Sequence, residues 1–427
     1  MPHTKPLARR EFLASGTAVA ATLSMTSAVA QRAGDPAVPN PRTRPVRNRR
    51  DIIIYRDPFA YCAHASIVRL ANGEWVVAFN ESQRIEPFSI IRTDYHHPPD
   101  DPHYHNLITR SEDEGRTWSP PQAAPNWDWY GVECPGLAQL SDGTVVMNQW
   151  QFLWYPLEEG RKRFSRGEEI WVRVGGPPWK RARPDTDWSR SDMPWCRAQG
   201  GCYVHLSSDG GRSWGRTAQI STSPYMGGYT PRGVVQLADG TVLMVTADHT
   251  LNQTVYAVRS QDGALSWSQP IPLATVEEGS LSEPTAVVLP RDKVVTMMRS
   301  GTGHLHQSES SDGGSTWTPV RRTPIRGSPG HLLLLSDGRL LVTYGHRAAP
   351  CGIRACLSRD GGQTWDYKAE LLIRDDMPNK NLGYPVSIEY EPGRLFTTYY
   401  GEREGDGARA VAGYGVSSIQ GSYWELS

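Results

Sequence analysis

The chain has 427 residues, and its 45 Lys and Arg against 45 Asp and Glu leave no net charge, which excludes a bulk field for gathering nucleic acid or an anionic membrane. Gly 41 and Pro 33 together make up about 17% of the chain, above the roughly 12% average, and 15 Trp is also high. Many tight turns with aromatic packing point to a β protein. Beyond the first thirty positions no apolar run approaches the ~18 residues that span a bilayer, so the mature chain is expected to be soluble.

The N-terminus carries Arg9-Arg10, a mild apolar stretch and Ala28-Val29-Ala30 before Gln31. A twin arginine, an h-region and an A-x-A site describe a Tat-type signal peptide over 1–30 and predict a periplasmic or extracellular protein. Residues 31–50 are rich in Pro and Arg without periodicity and read as a linker. Export permits disulfides among the six cysteines. Cys196 and Cys202, flanking Gly200-Gly201, are candidates for a small loop, whereas Cys351 and Cys356 read as one strand, where five residues separate them by about 16 Å.

Two repeats interleave through the remainder. The first is Ser/Thr-x-Asp-x-Gly/Ala-x-Ser/Thr-Trp, found at Ser111 to Trp118, Ser207 to Trp214, Ser260 to Trp267, Ser310 to Trp317 and Ser358 to Trp365. Its aspartates, Asp113, Asp209, Asp262, Asp312 and Asp360, are 96, 53, 50 and 48 residues apart, a propeller-like period. The second is a strand, a two-residue Asn-Gly or Asp-Gly turn (degenerate in two copies) and a return strand, starting near Ser66, Gly136, Gly233, Thr285, His331 and Val386. Six hairpins predict an all-β, six-bladed β-propeller of four-stranded antiparallel blades over 51–427. Ile52-Ile53-Ile54 is placed to supply the missing strand of the last blade and close the ring. Insertions at about 80–105 and 150–199, the second carrying Trp154, Trp171, Trp179, Trp188 and Trp195, are expected to shape a ligand site on one rim.

The five Asp motifs resemble the Asp boxes of the sialidase superfamily, and the resemblance covers about 51–427. In such boxes the Asp accepts backbone N–H groups of its own turn, Gly supplies positive φ and Trp packs between strands, so the boxes are structural. Inner strands of a propeller end near the axis, where one side chain per blade can converge. The residues opening the hairpins are therefore the candidates. They include His64 and nearby Arg56 from blade 1, Glu133 and Cys134 from blade 2, Tyr229 and Arg232 from blade 3, Glu283 from blade 4 and Tyr384 from blade 6, with Arg299, His346 and Arg347 on return strands.

Ser282-Glu283-Pro284 with Met298-Arg299-Ser300 is similar to the family segment that supplies a glutamate and a carboxylate-binding arginine. Gly383-Tyr384-Pro385 resembles the segment of its tyrosine nucleophile. The resemblance implies a Tyr384–Glu283 pair, and the chemistry agrees: a phenol of pKa about 10 attacks poorly until a neighbouring base takes its proton, and sialidases are an exception to the two-carboxylate scheme. Ala63 stands where the family has its first arginine and Pro350 where it has its third, with Arg347 and Arg354 on either side. The family takes its acid/base residue from the loop before the first Asp box, which offers Asp100 and Asp101, while His105 and His64 are histidine candidates for the same work. His103-Tyr104-His105 would point two imidazoles one way, but no metal-ligand spacing of a known site is present, and neither metal nor cofactor is expected. The resulting expectation is an exported exo-glycosidase acting on a terminal acidic or unusual sugar of a glycan, with retention through Tyr384. A uronate polysaccharide lyase using His and Tyr, and a glycan-binding propeller without turnover, are the alternatives.

Overall fold

The computed structural model describes residues 43–58, 60–83, 104–126, 130–175, 179–248, 254–275, 280–403 and 416–426. Six antiparallel sheets follow one another along the chain. Their innermost strands are Ala60–Arg69, Tyr130–Gln139, Val235–Gln236, Leu281–Leu289, Gly330–Leu334 and Gly383–Glu391, defining blades 1 to 6. In blade 6 the fourth strand is Arg47–Tyr55, which pairs antiparallel with Ser418–Glu425, so the ring closes with the N-terminal strand as expected. The linker reading fails at its end: Arg44–Pro45 adds a parallel strand to blade 5, and residues 47–50 already belong to the closing strand.

In blades 1, 2, 3 and 5 the hairpin turns are one residue longer than a two-residue turn. In blade 1 Gly73 N–H donates to the Leu70 carbonyl and Leu70 N–H to the Glu74 carbonyl, leaving three loop residues with Gly73 at φ 91°. That is a type I turn closed by a left-handed glycine, and Asn72 Oδ1 accepts the Glu74 N–H at 3.0 Å to fix it.

Each Asp box has the expected wiring. In the first, Asp113 Oδ1 accepts from Thr117 N–H at 2.8 Å and Ser111 Oγ at 2.8 Å, and Thr117 Oγ1 donates to Oδ2 at 2.7 Å. The third box places Ala264 at φ 69° where the others have glycine. These bonds stabilise the ionised carboxylate and bring Asp113, Asp262 and Asp312 down to about 2, with the Ser or Thr four residues on as the largest cause. Asp360 also falls to about 2, its hydrogen bonds overcoming burial. A depressed folded-state pKa contributes stability that is complete above the unfolded value near 4 and lost as pH falls through the folded one. Melting temperatures are therefore expected to hold down to about pH 4 and to drop steeply between about pH 4 and 2. A flat profile through that window would refute the role of the boxes as ionised staples.

The core lies between blades. Trp75, fully buried, packs against Phe396 and Tyr390 of blade 6 at ring distances of 5.0 and 5.5 Å. The blade 2 insertion makes a satellite of its own: helix α1, Leu157–Ser165, sits over Ile170, Val172, Ala182 and Cys196, with Trp188 beside Phe164. None of the six cysteines is in a disulfide, so the candidate Cys196–Cys202 loop is not closed: both belong to one extended strand, Trp195–Ser207, which holds them apart.

Candidate active site

Four inner strands share one irregularity. The pairing register slips between Ala63 and Ser66, Glu133 and Gly136, Ser282 and Thr285, and Gly383 and Val386. At each slip a non-glycine residue takes a left-handed backbone: His64 at φ 52°, Cys134 at 54°, Glu283 at 48° and Tyr384 at 51°. A β-bulge of this kind breaks the alternation of side chains and re-aims one of them, at a conformational cost of order 1 kcal/mol or more per residue. Strained residues of this type concentrate at functional sites. Here four blades use the same device to turn a histidine, a thiol, a carboxylate and a phenol into one cluster.

Tyr384 Oη donates to Glu283 Oε1, a bond between side chains 101 residues apart in sequence. Arg299, opposite Ser282 on the return strand, places Nη1 at 2.9 and 3.1 Å from the two Glu283 oxygens. The Arg347 guanidinium lies 5.9 Å from the Tyr384 ring centroid. Burial pushes the Glu283 carboxyl up, but Arg299, the Tyr384 hydrogen bond and Arg347 together hold it below the ordinary range. Burial, reinforced by Glu283, drives the Tyr384 phenol well above 10. The resting pair is thus a neutral phenol aimed at a carboxylate, and attack by the oxygen must coincide with proton transfer.

On the other flank, the His64 ring lies 4.2 Å from the Tyr384 ring, and its Nδ1 is 2.7 Å from Asn80 Oδ1 and 3.6 Å from Glu133 Oε1. Cys134 Sγ donates to Tyr229 Oη at 3.0 Å, and burial raises that thiol well above its usual range. Tyr400 packs edge-on to His64 at 5.9 Å.

The structure thus brings together Tyr384, Glu283, Arg299, Arg347, His64 and Glu133. Arg232 is close enough for its charge to act on Glu283 and Tyr384. It is nevertheless 4% exposed, its Nε donates to the Gly330 carbonyl at 3.1 Å, and burial lowers its pKa to about 10. It underlies the cluster and does not line its wall. Three expected residues fall elsewhere. Arg354 is held by Glu370 at 2.7 Å inside blade 5, where Tyr344 binds the same carboxylate, because a guanidinium buried this deeply needs its own counter-ion. Arg56 is exposed in the turn before the first inner strand. His105 faces Glu81 at 3.6 Å, and Tyr55 Oη binds the other oxygen of that carboxylate at 2.7 Å. Asp100 and Asp101 lie outside the described residues. Of the insertion tryptophans, Trp154 is buried and packs against Trp179 and Trp195 at 5.5 and 6.3 Å, so much of that aromatic content is packing. Nothing in the local sequence pattern singles out Asn80 or Tyr400 as strongly as the hairpin-opening residues. The signal for Asn80 was a carboxamide at the end of the apolar run Trp75-Val-Val-Ala-Phe79.

Six blades, five Asp boxes and a Tyr–Glu–Arg cluster reached from the inner strands together define a β-propeller of the BNR-repeat, sialidase-like kind. Residues 184–397, half of the chain, match the BNR repeat-like domain family, and the chain belongs to it. Among solved structures, a protein of unknown function from Dyadobacter fermentans is 26% identical, with a TM-score of 0.72 over 91% of this chain and 100% of that one. The NanB sialidase of Streptococcus pneumoniae shares the fold at 13% identity, with a TM-score of 0.60 over 90% of this chain and 71% of that one. An α-L-arabinanase of Penicillium chrysogenum in complex with arabinobiose shares it at 14% identity, with a TM-score of 0.55 over 88% of this chain and 97% of that one. No curated protein sequence matches the chain. The fold is therefore that of sialidase-like and arabinanase-like propeller glycoside hydrolases.

Proposed function

We propose that the protein is a retaining exo-glycosidase that removes a terminal acidic sugar from a glycan, with Tyr384 as nucleophile and Glu283 as its base. The hydrogen bond from Tyr384 Oη to a Glu283 carboxylate braced by Arg299 carries this reading. As Oη bonds to the anomeric carbon, its proton passes to Glu283 and the glycosidic C–O bond breaks. The leaving oxygen takes a proton from an acid, and water then releases the sugar from Tyr384. A phenol brings no full negative charge toward an anionic sugar, and Arg299 and Arg347 supply positive charge beside the reacting carbon. Ala63, at the position of the family's first arginine, argues for an acidic sugar other than sialic acid. The Arg9-Arg10 and Ala28-Val29-Ala30 signals support reaction outside the cytoplasm.

The decisive experiment is trapping. A fluorinated glycosyl fluoride of the accepted sugar should add its mass to one peptide, containing Tyr384. Labelling of a different residue, or release of product with inverted configuration, would overturn the assignment. The closeness of His64 to Tyr384 favours one second reading, β-elimination from a uronate, whose product would carry an unsaturated sugar and no label.

A further inference from the structure

We infer that the blade 2 insertion carries a second binding groove, separate from the axial cluster, that takes a stretch of an acidic glycan chain. The groove stands on its own residues. Only the step that makes its occupant the chain cleaved at Tyr384 rests on the reaction proposed above.

The protein has no net charge, so an anionic ligand has to be met by a local cluster. The insertion sorts its charges to leave one. Lys162 pairs with Glu158 at 2.8 Å, Arg163 with Glu159 at 2.9 Å and Glu168 at 3.0 Å, and Arg181 with Glu169. Beyond these pairs, strand Trp171–Val172 is hydrogen-bonded to Lys180–Arg181, and a bridge between Val174 and Ser191 draws the loop 183–190 alongside. Between them lies a groove of about 610 Å³. Val172 and Val174 give it an apolar patch, and three exposed cations, Lys180, Arg183 and Arg190, surround that patch. Lys180 Nζ spends one donor on the Val174 carbonyl at 3.1 Å. Asp187 Oδ1 takes the Ser189 N–H and Oγ at 3.1 and 2.6 Å, and among the described residues neither Arg183 nor Arg190 has an ion pair. The loop that holds both arginines is braced: Arg183 N–H donates to Thr186 Oγ1 at 2.7 Å and Thr186 N–H to the Arg183 carbonyl at 3.0 Å. A braced backbone lowers the ordering cost of binding.

The mixture of groups selects the ligand. A sugar acid presents a carboxylate, several hydroxyls and an apolar C–H face. Guanidinium forks receive the carboxylate, Asp185, Thr186 and Asp187 offer oxygens to the hydroxyls, and the valines meet the C–H face. A nucleic-acid strand would bring its phosphates against two aspartates and would find no aromatic lining residue on which to stack a base.

The groove also shares a rim with the axial cluster. Glu133 stands opposite Trp150, and the pair of strands runs on past them to Tyr130 and Leu153, away from the 140–144 turn. The insertion leaves the blade at that same end, after Pro156. The sheet order sets Lys180–Arg181 four strands out from the inner strand, about 19 Å at ordinary strand spacing. A few linked sugars bridge such a distance, which lets the end of a chain lie at Tyr384 while its body is held on the insertion.

The probes are polygalacturonate, alginate and hyaluronan, with dextran as the neutral polymer and single-stranded DNA as the phosphate one. Calorimetry on the intact Tyr384→Phe protein keeps turnover out of the measurement. At least one uronate polymer should bind and dextran should not. The double variant Arg183→Ala/Arg190→Ala should weaken that binding at least about tenfold, with the melting temperature within about 2 °C because both side chains are exposed. Arg166→Ala, at the exposed end of α1, should change neither. Added salt should weaken the parent protein more than the double variant. Absence of binding to every uronate polymer, DNA bound as tightly as the best of them, or a double variant that binds like its parent would overturn the groove. Trapping of a residue other than Tyr384 would end the proposed reaction and leave the groove standing.

Discussion

Tyr384→Phe is expected to lower turnover by at least about a thousand-fold while leaving substrate affinity within a few-fold, because one oxygen is removed and the ring remains. That ring packs against His64 at 4.2 Å and Tyr400 at 5.8 Å, contacts that Phe preserves. The melting temperature should therefore move by only a few degrees. Glu283→Gln removes the acceptor of the phenol proton and leaves Arg299 facing a neutral amide. The two groups act in one proton transfer, so the double variant should be little worse than the poorer single variant. Full multiplication of the two losses would mean that they act in separate steps. A Tyr384→Phe protein with wild-type turnover would end the nucleophile assignment and leave His64 as the principal reactive group.

The architecture was legible in the sequence because its determinants are local and repeated. Each Asp box fixes its own turn, and four of the six hairpins have their own Asx residue and glycine. The pairing of Tyr384 with Glu283 was reached through resemblance to a family. Composition and spacing alone do not show that positions 101 residues apart touch. Arg354 illustrates the limit: with Arg347 it brackets Pro350, the position of the family's third arginine, but Glu370 lies in the same blade and pairs with it. The alternation rule also hides the bulges. Read as regular strands, Glu133 and Cys134 diverge, and only the left-handed backbone at Cys134 brings both toward His64. The closing strand was half visible. Ile52 to Ile54 marked its end, whereas its first half is exposed at every position and has no apolar alternation to betray it.

Removing residues up to Tyr55 is expected to cost about 5 kcal/mol or more, a large part of the stability of an ordinary domain. The segment bridges two blades. Arg44 N–H donates to the Glu370 carbonyl at 2.8 Å and Arg49 Nη1 to the Ile373 carbonyl at 3.0 Å, both in blade 5. In blade 6, Ser422 Oγ donates to Asp51 Oδ1 at 2.6 Å and the Arg50 guanidinium covers the Tyr423 ring at 4.2 Å. Without this strand the last sheet keeps three strands and Ser418–Glu425 becomes an open edge, with unpaired backbone beside Tyr423 and Trp424. Such an edge invites association as well as unfolding. A chain beginning at Thr43 should melt as the full-length protein does, whereas one beginning at Arg56 should melt far lower or aggregate. Equal melting of the two would show that the N-terminal strand is an ornament of the ring.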